Sequence, residues 1–268
     1  MNMVKIDVII PCFNEEQTLA RAVQSVLAQT QLGTLWLVDD GSTDNTLELA
    51  QQFATENPQQ IQVEIMPNNS GVAKARNWGA LQSQAEFIAF LDADDAYEPD
   101  ALNIASAVFH FRPNLNVLRL ALKPVGIPER YATHPDFERA WQYMRMTCGG
   151  NTVFRRAFFL ACGGFPPHNL FRQVGGEDGA LGIATTQLTT VATLFDEAGV
   201  LHFCREGMHV ERLLDSILFG KVPDGIGESE MAQANAVTAE IEQQIKKLKM
   251  SLMDTQVGVQ PFVVERSK

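Results

Sequence analysis

Phe87-Ile88-Ala89-Phe90-Leu91-Asp92-Ala93-Asp94-Asp95 is the stretch on which the reading of this chain turns. Its five leading apolar residues have the composition of a short buried strand, and three carboxylates crowd at the strand's end. Charges of one sign held that close repel one another unless something positive sits among them. A divalent cation bound through oxygen ligands meets that need, and it would in turn hold an anionic partner such as a nucleoside diphosphate. A solvated acidic turn is the plain alternative, and the rest of the chain has to decide.

Before this stretch, short β-branched runs alternate with amphipathic segments. Val4 to Ile10 reads as a strand stopped by Pro11, followed by a helix through Leu19, Ala22, Val23, Val26 and Leu27 at spacings of three and four. Leu35 to Val38 is a second strand, ended by Asp39-Asp40-Gly41-Ser42, and the polar residues Ser42 to Asn45 suit the start of the next helix. Ile61 to Ile65 is a third strand and Gly71 to Leu81 a helix. Strands alternating with helices predict a mostly parallel, Rossmann-like α/β sheet covered on both faces. Ligands of such sheets gather beyond the carboxyl ends of the strands, where Asn14-Glu15, Asp39-Asp40 and Asp92 to Asp95 all fall.

After Asp95 the pattern loosens. Pro99 opens a helix, Val117 to Leu122 is a strand, and Thr152 to Leu160 is a strand running into a helix. The prolines at 124, 128 and 135 leave residues 123–147 hard to read, apart from an aromatic helix face of Phe137, Trp141, Tyr143 and Met144. Leu181 to Ala192 reads as a helix, Gly199 to Cys204 as a strand, and Glu228 to Leu252 as a helix with one apolar stripe. The stripe would either pack on the main body or join two copies. The expected division is a body over 1–220, with a first half over about 1–100 and a second over about 101–220, then a C-terminal helix and tail over 221–268.

The chain has 268 residues and a net charge of −11. That charge argues against a nucleic-acid partner, because counterion release needs a basic surface. Cys12, Cys148, Cys162 and Cys204 lie far apart, with neither zinc spacing nor a disulfide framework. No signal-peptide pattern and no uncharged run of spanning length stands out. These features point to a cytoplasmic protein, with peripheral contact at a membrane face left open.

Four motifs occur in order: Val8-Ile-Ile-Pro11-Cys-Phe13-Asn14-Glu15, Val38-Asp39-Asp40-Gly41-Ser42-Thr43-Asp44, Asn69-Ser70-Gly71 with Ala75-Arg76-Asn77, and Leu91-Asp92-Ala-Asp94-Asp95. Together they resemble the nucleotide-sugar half of family 2 glycosyltransferases, built on the type A glycosyltransferase fold. The resemblance is close over residues 4 to about 100. It continues more loosely through Cys148 to Asn151, Gly163-Gly164-Phe165 and Glu177-Asp178.

The resemblance implies an inverting glycosyltransferase that takes a sugar from a nucleotide-diphosphate donor, UDP-linked in the first instance, for polysaccharide biosynthesis. Pro11 and Phe13 would wall the base pocket, Glu15 would lie near the ribose, and Asp40 would accept the uracil imide N–H. Arg76 could reach the diphosphate with its forked guanidinium. Asp92 and Asp94 resemble the family's Asp-x-Asp pair, which touches ribose and binds Mn²⁺ or Mg²⁺. The division of the metal between Asp94 and Asp95 stays open. His209, or less favourably His202, would complete the metal shell. Asp178 resembles the catalytic base that removes the acceptor proton.

No Gln-x-x-Arg-Trp segment follows Asp178, so transfer of one sugar is expected rather than processive synthesis. The acceptor, whether carbohydrate, lipid-linked or protein, is unreadable, and homodimerisation stays open. Two other functions compete. A nucleotidyltransferase would need a glycine- and lysine-rich first loop, where this chain has the acidic Pro11 to Glu16. A non-catalytic relative would bind donor without turnover.

Overall fold

The computed structural model describes residues 3–205, 207–222, 225–249 and 256–264, apart from the side chain of His209. An eight-stranded sheet forms its centre. In chain order its strands are β1 (Ile6–Cys12), β2 (Leu32–Asp39), β3 (Ile61–Ile65), β4 (Phe87–Phe90), β6 (Val117–Leu120), β8 (Thr152–Arg155), β9 (Thr190–Leu194) and β11 (Gly258–Pro261). They lie in the order β11-β9-β6-β8-β4-β1-β2-β3. All neighbours are parallel except β8, which runs against both β4 and β6. A smaller sheet joins β5 (Ala96–Tyr97), β10 (Val200–Phe203) and β7 (Leu122–Val125).

Alternation along the strands divides the core between two faces. Val8, Ile10, Leu35, Leu37, Ala89 and Leu118 point to one side. There they meet α1 (Leu19–Leu27), α4 (Ala101–Phe111), α6 (Phe137–Thr147) and α10 (His209–Phe219). Ile9, Val38, Ile88, Phe90, Val117 and Val191 point to the other. There they meet α3 (Val72–Gln82), α7 (Arg156–Ala161), α8 (Asn169–Val174), α9 (Glu177–Leu188) and α11 (Glu228–Leu248). The helix α2 (Thr46–Glu56) follows β2, and the single turn α5 (Glu129–Ala132) precedes α6.

The helix α3 lies against β1 and β2 because its inward residues are small: Ala73, Ala75, Gly79 and Ala80. A Cβ on Gly79 would sit 2.6 Å from Ile9 Cγ2 and 3.0 Å from Val38 Cγ2. Both neighbours are β-branched and fixed in the sheet. Overpacking of about 1–3 kcal/mol should therefore outweigh the roughly 1 kcal/mol helix-propensity gain of alanine. Gly79→Ala is expected to lower the urea midpoint of unfolding; an unchanged or raised midpoint would show that the helix can lift off at no cost.

The four expected strands of the first half are present. Pro11 does not end the first one: it pairs with Val38 of β2, beyond the point where pairing with β4 stops at Ile9. The missing N–H therefore interrupts no ladder. Val117 to Leu122 is two strands rather than one, since the chain leaves the large sheet after Leu120 and enters the small one at Leu122. The expected helix over 181–192 ends at Leu188, and residues 190–194 form the buried strand β9. Thr190, Val191 and Thr193 carry the β-branching that overrides the helical spacing. The apolar stripe of α11 packs on the body through Ile241 and Ile245. Residues 250–252 of the expected helix lie outside the described residues. All four cysteines are free. Among the described residues no helix is long and apolar enough to cross a membrane.

Candidate active site

Beyond the carboxyl ends of β1, β2 and β4 the loops are laced together by backbone donors and short side chains. Asn14, at φ 56°, accepts the Thr43 N–H at 2.8 Å on Oδ1. Its own N–H reaches Ser42 Oγ at 3.1 Å. Asp39 accepts the Gly41 and Ser42 N–H groups and builds the turn. Asp40 is buried and accepts Ser70 N–H and Gly71 N–H, each at 2.8 Å. Burial lifts its pKa above the usual carboxylate value despite those two bonds. Asp40 thus ties the end of β2 to the start of α3, and each of its oxygens keeps a second lone pair. Phe13 is 42% exposed at this edge, so it is a surface ring and not a core residue.

Arg76 is the centre of the charge arrangement. It rises from α3, is 4% exposed, and pairs with Asp92 at 2.5 Å and Glu177 at 3.1 Å. Burial opposes its charge, but Asp92, Glu177 and Asp178 outweigh burial and hold its pKa above the ordinary range. Its fork joins the end of β4 to the first turn of α9. In this structure it is committed to those carboxylates and not turned to solvent.

The three aspartates after β4 occupy different environments. Asp92 faces Arg76. Asp95 is 0% exposed, and its oxygens take His202 Nδ1 at 2.8 Å and the Phe203 N–H at 3.1 Å. Asp94 lies between them, and burial together with Asp92, Asp95 and Glu15 pushes its pKa up to about 7. The exposed Arg205 lies 3.4 Å from Asp94 Oδ2 and 3.6 Å from Glu15 Oε1. The Arg21 guanidinium donates to the Asp94 carbonyl and lies 3.6 Å over the Phe203 ring.

The position of His202 bears on a metal. Burial would lower its pKa, yet the Asp95 bond and the surrounding carboxylates hold it above the usual value. Its Nε2 is buried without a partner, while Nδ1 is oriented by a carboxylate, the arrangement of many metal-binding histidines. Among the described residues no three His, Cys, Asp or Glu side chains converge enough to enclose an ion. Asp94 and the unpartnered nitrogen of His202 are donors of the kinds a divalent cation accepts. His209 is the first residue of α10, and its side chain lies outside the described residues.

Asp178 stands in the first turn of α9, after Gly175 and Gly176 at φ 74° and 102°. Its Oδ2 accepts the Gly149 N–H at 3.0 Å and its Oδ1 the Gly179 N–H at 2.8 Å. Glu177 beside it is buried against Arg76, and burial and Asp178 push its pKa up to about 7. The structure thus brings Asp92, Asp94, Arg76 and Asp178 to one place, with Glu15, Asp40 and Phe13 along the adjoining edge. The sequence reading passed over Glu177 as the partner of Arg76, Asp95 as the support of His202, and Arg205. An arginine directly after a strand that ends at this edge was the available signal for Arg205.

Comparison with known proteins shows the family. The Glycosyl transferase family 2 profile matches residues 7–161. An uncharacterized glycosyltransferase of Nostoc is 41% identical over 107 residues, 40% of this chain and 33% of that one. The poly(ribitol-phosphate) β-N-acetylglucosaminyltransferase TarS of Staphylococcus aureus is 32% identical over 134 residues, 47% of this chain and 23% of its own length. The chain thus spans well under half of these relatives. In fold, the crystal structure of S. aureus TarS 1–349 with UDP-GlcNAc matches at a TM-score of 0.57 and 22% identity, over 93% of this chain and 76% of that one. GalNAc-T7 with UDP, GalNAc and Mn²⁺ matches at 0.59 and 18%, over 94% and 58%. A profile that covers more than half of the chain, on an α/β sheet of the type A glycosyltransferase kind, makes this protein a member of glycosyl transferase family 2.

Proposed function

We propose that the protein moves one sugar from a nucleotide-diphosphate donor, a UDP-sugar, to an acceptor hydroxyl with inversion at the anomeric carbon. The observation that carries this reading is the partition of carboxylates around Arg76. Asp92 and Glu177 are paired with the guanidinium, which leaves Asp94, sharing Arg205 with Glu15, and Asp178, on the Gly149 N–H, outside that pairing. Asp178 takes the acceptor proton as the acceptor oxygen bonds to the anomeric carbon and the bond from that carbon to the diphosphate breaks. Phe13 offers an exposed face to the base, and Asp40 an acceptor to its imide. Of the two aspartates left open for a metal, Asp94 is the more available, since its Oδ2 meets the exposed Arg205 at 3.4 Å while both oxygens of Asp95 are bonded to His202 and the Phe203 N–H. Asp94 and His202 would hold the ion, and a divalent ion there supplies positive charge against the departing diphosphate. TarS with UDP-GlcNAc and GalNAc-T7 with UDP and Mn²⁺ share the fold and support the choice of donor and metal.

A panel of sugar nucleotides tests the reading. A UDP-sugar should release UDP with Mn²⁺ or Mg²⁺ and not with EDTA, and NMR of the product should show the opposite anomer. A retained anomer, or no release from any donor, would overturn it. Asp94→Ala should lose the Mn²⁺-dependent part of UDP affinity in calorimetry; an unchanged affinity would remove Asp94 from the metal site.

A further inference from the structure

Arg119 carries a charge that the reaction as described does not use. It sits on β6, is 2% exposed, and makes no ion pair with a carboxylate among the described residues. Burial pushes its pKa down to about 10, against the opposing influence of Cys148 and Asp178. A charge so placed needs strong acceptors, and here they come from the end of a helix. Its Nη1 donates to the Cys148 carbonyl at 2.9 Å and the Arg145 carbonyl at 3.4 Å, at the C-terminus of α6. That is the negative end of the helix dipole. The same nitrogen reaches Thr152 Oγ1 at 3.1 Å and Asn151 Oδ1 at 3.3 Å.

One nitrogen therefore fastens the loop Cys148–Thr152 from below, and the upper side of that loop faces the site. Its Gly149 N–H is the donor to Asp178. A Cβ on Gly149 would lie 3.1 Å from Arg76 Nη1, and one on Gly150 2.9 Å from Asp92 Oδ2. Arg119 also touches the helix that carries Asp178. A Cβ on Gly182 of α9 would come 2.8 Å from Arg119 Nη2, so the glycine lets the helix lie down on the guanidinium.

We propose that Arg119 is a positioning residue for sugar transfer: it locks the Cys148–Thr152 loop and α9 into one relation, and so aims the Asp178 carboxylate at the acceptor hydroxyl. The inference rests on the reading of Asp178 as the base. The loop's hydrogen bond into the site goes to Asp178, so the effect should fall on proton removal rather than on donor binding.

Arg119→Lys keeps the charge but shortens the reach to the four acceptors, and Arg119→Met removes both. Steady-state UDP release from UDP-GlcNAc with Mn²⁺, with water as acceptor, gives the rate. Hydrogen exchange by mass spectrometry gives the loop. Arg119→Lys should lower kcat on the order of 10²-fold, the cost of a misplacement near 1 Å, with the donor KM unchanged. It should add no further loss in an Asp178→Asn background. In Arg119→Met, exchange should quicken in peptides covering 146–153 and 176–183 and stay unchanged over 7–15 and 36–44. Losses that multiply with Asp178→Asn, a parallel rise in KM, or exchange that quickens evenly along the chain would reduce Arg119 to a structural residue while leaving the proposed function intact. A wild-type protein silent with every UDP-sugar would overturn the base itself and this role with it.

Discussion

Asp178→Asn is expected to slow sugar transfer by about 10²–10⁴-fold, the usual worth of a positioned general base, with UDP affinity left as it is. The substitution keeps the shape and the capacity to accept the Gly149 N–H, so the fold should survive it. Only the ability to take a proton is lost. Asp178 is held by the Gly149 N–H, whereas Asp94 shares Arg205 with Glu15, so nucleotide binding should not follow the rate. The check is a pair of measurements on one preparation: UDP release at saturating donor, and UDP titration by calorimetry. A rate within a few-fold of wild type would move the base elsewhere, with Glu177 the next carboxylate to examine.

Arg76→Met is expected to cost about 3–5 kcal/mol of stability near neutral pH, the penalty for leaving buried carboxylates without their cation. The loss should depend on pH through Glu177. That group lies at about 7 in the fold against an ordinary 4.5, lifted by burial and by Asp178 more than Arg76 lowers it. Between those values the folded chain holds a proton that the unfolded chain has released. The stability Glu177 contributes is therefore fully present below about pH 4.5 and lost as pH rises through about 7. Removing Arg76 withdraws the positive charge that favours the ionised form. The penalty should then be larger at about pH 8, where Glu177 must ionise unpaired, than at about pH 5, where it is neutral. Urea midpoints of wild type and variant at the two values give the comparison. Equal losses at both would mean that Arg76 acts through packing alone.

The first half of the chain was legible because its chemistry is local. Each strand ends on its own polar cluster, so Glu15, Asp40, Asp92 and Asp94 could be placed at one sheet edge from the alternation of strands and helices, while Phe13 took its place from the family resemblance. The second half was not, because its decisive contacts are long-range. Arg119 reads as a polar interruption in a strand, and its acceptors between Arg145 and Thr152 are invisible until β6 and β8 pair. Asp95 looked equivalent to Asp94 until β10 brought His202 against it. The helix expected over 181–192 stops at Leu188 for a related reason. Small and β-branched residues fit either element, and neighbouring strands decided in favour of β9.

The reversed direction of β8 has one more consequence. Its amino-terminal end opens on the catalytic edge, so the stretch from 126 to 151 departs after Val125 and comes back at Thr152 with both margins pinned by pairing. A stretch anchored in this way can grow or shrink cheaply, since closure entropy rises by only about 0.6 kcal/mol for each doubling of length. Within it α6, which buries Trp141, and the turn that gives the Gly149 N–H to Asp178 have to stay; the exposed turns beside them are where length can change without disturbing the alignment of the parallel strands.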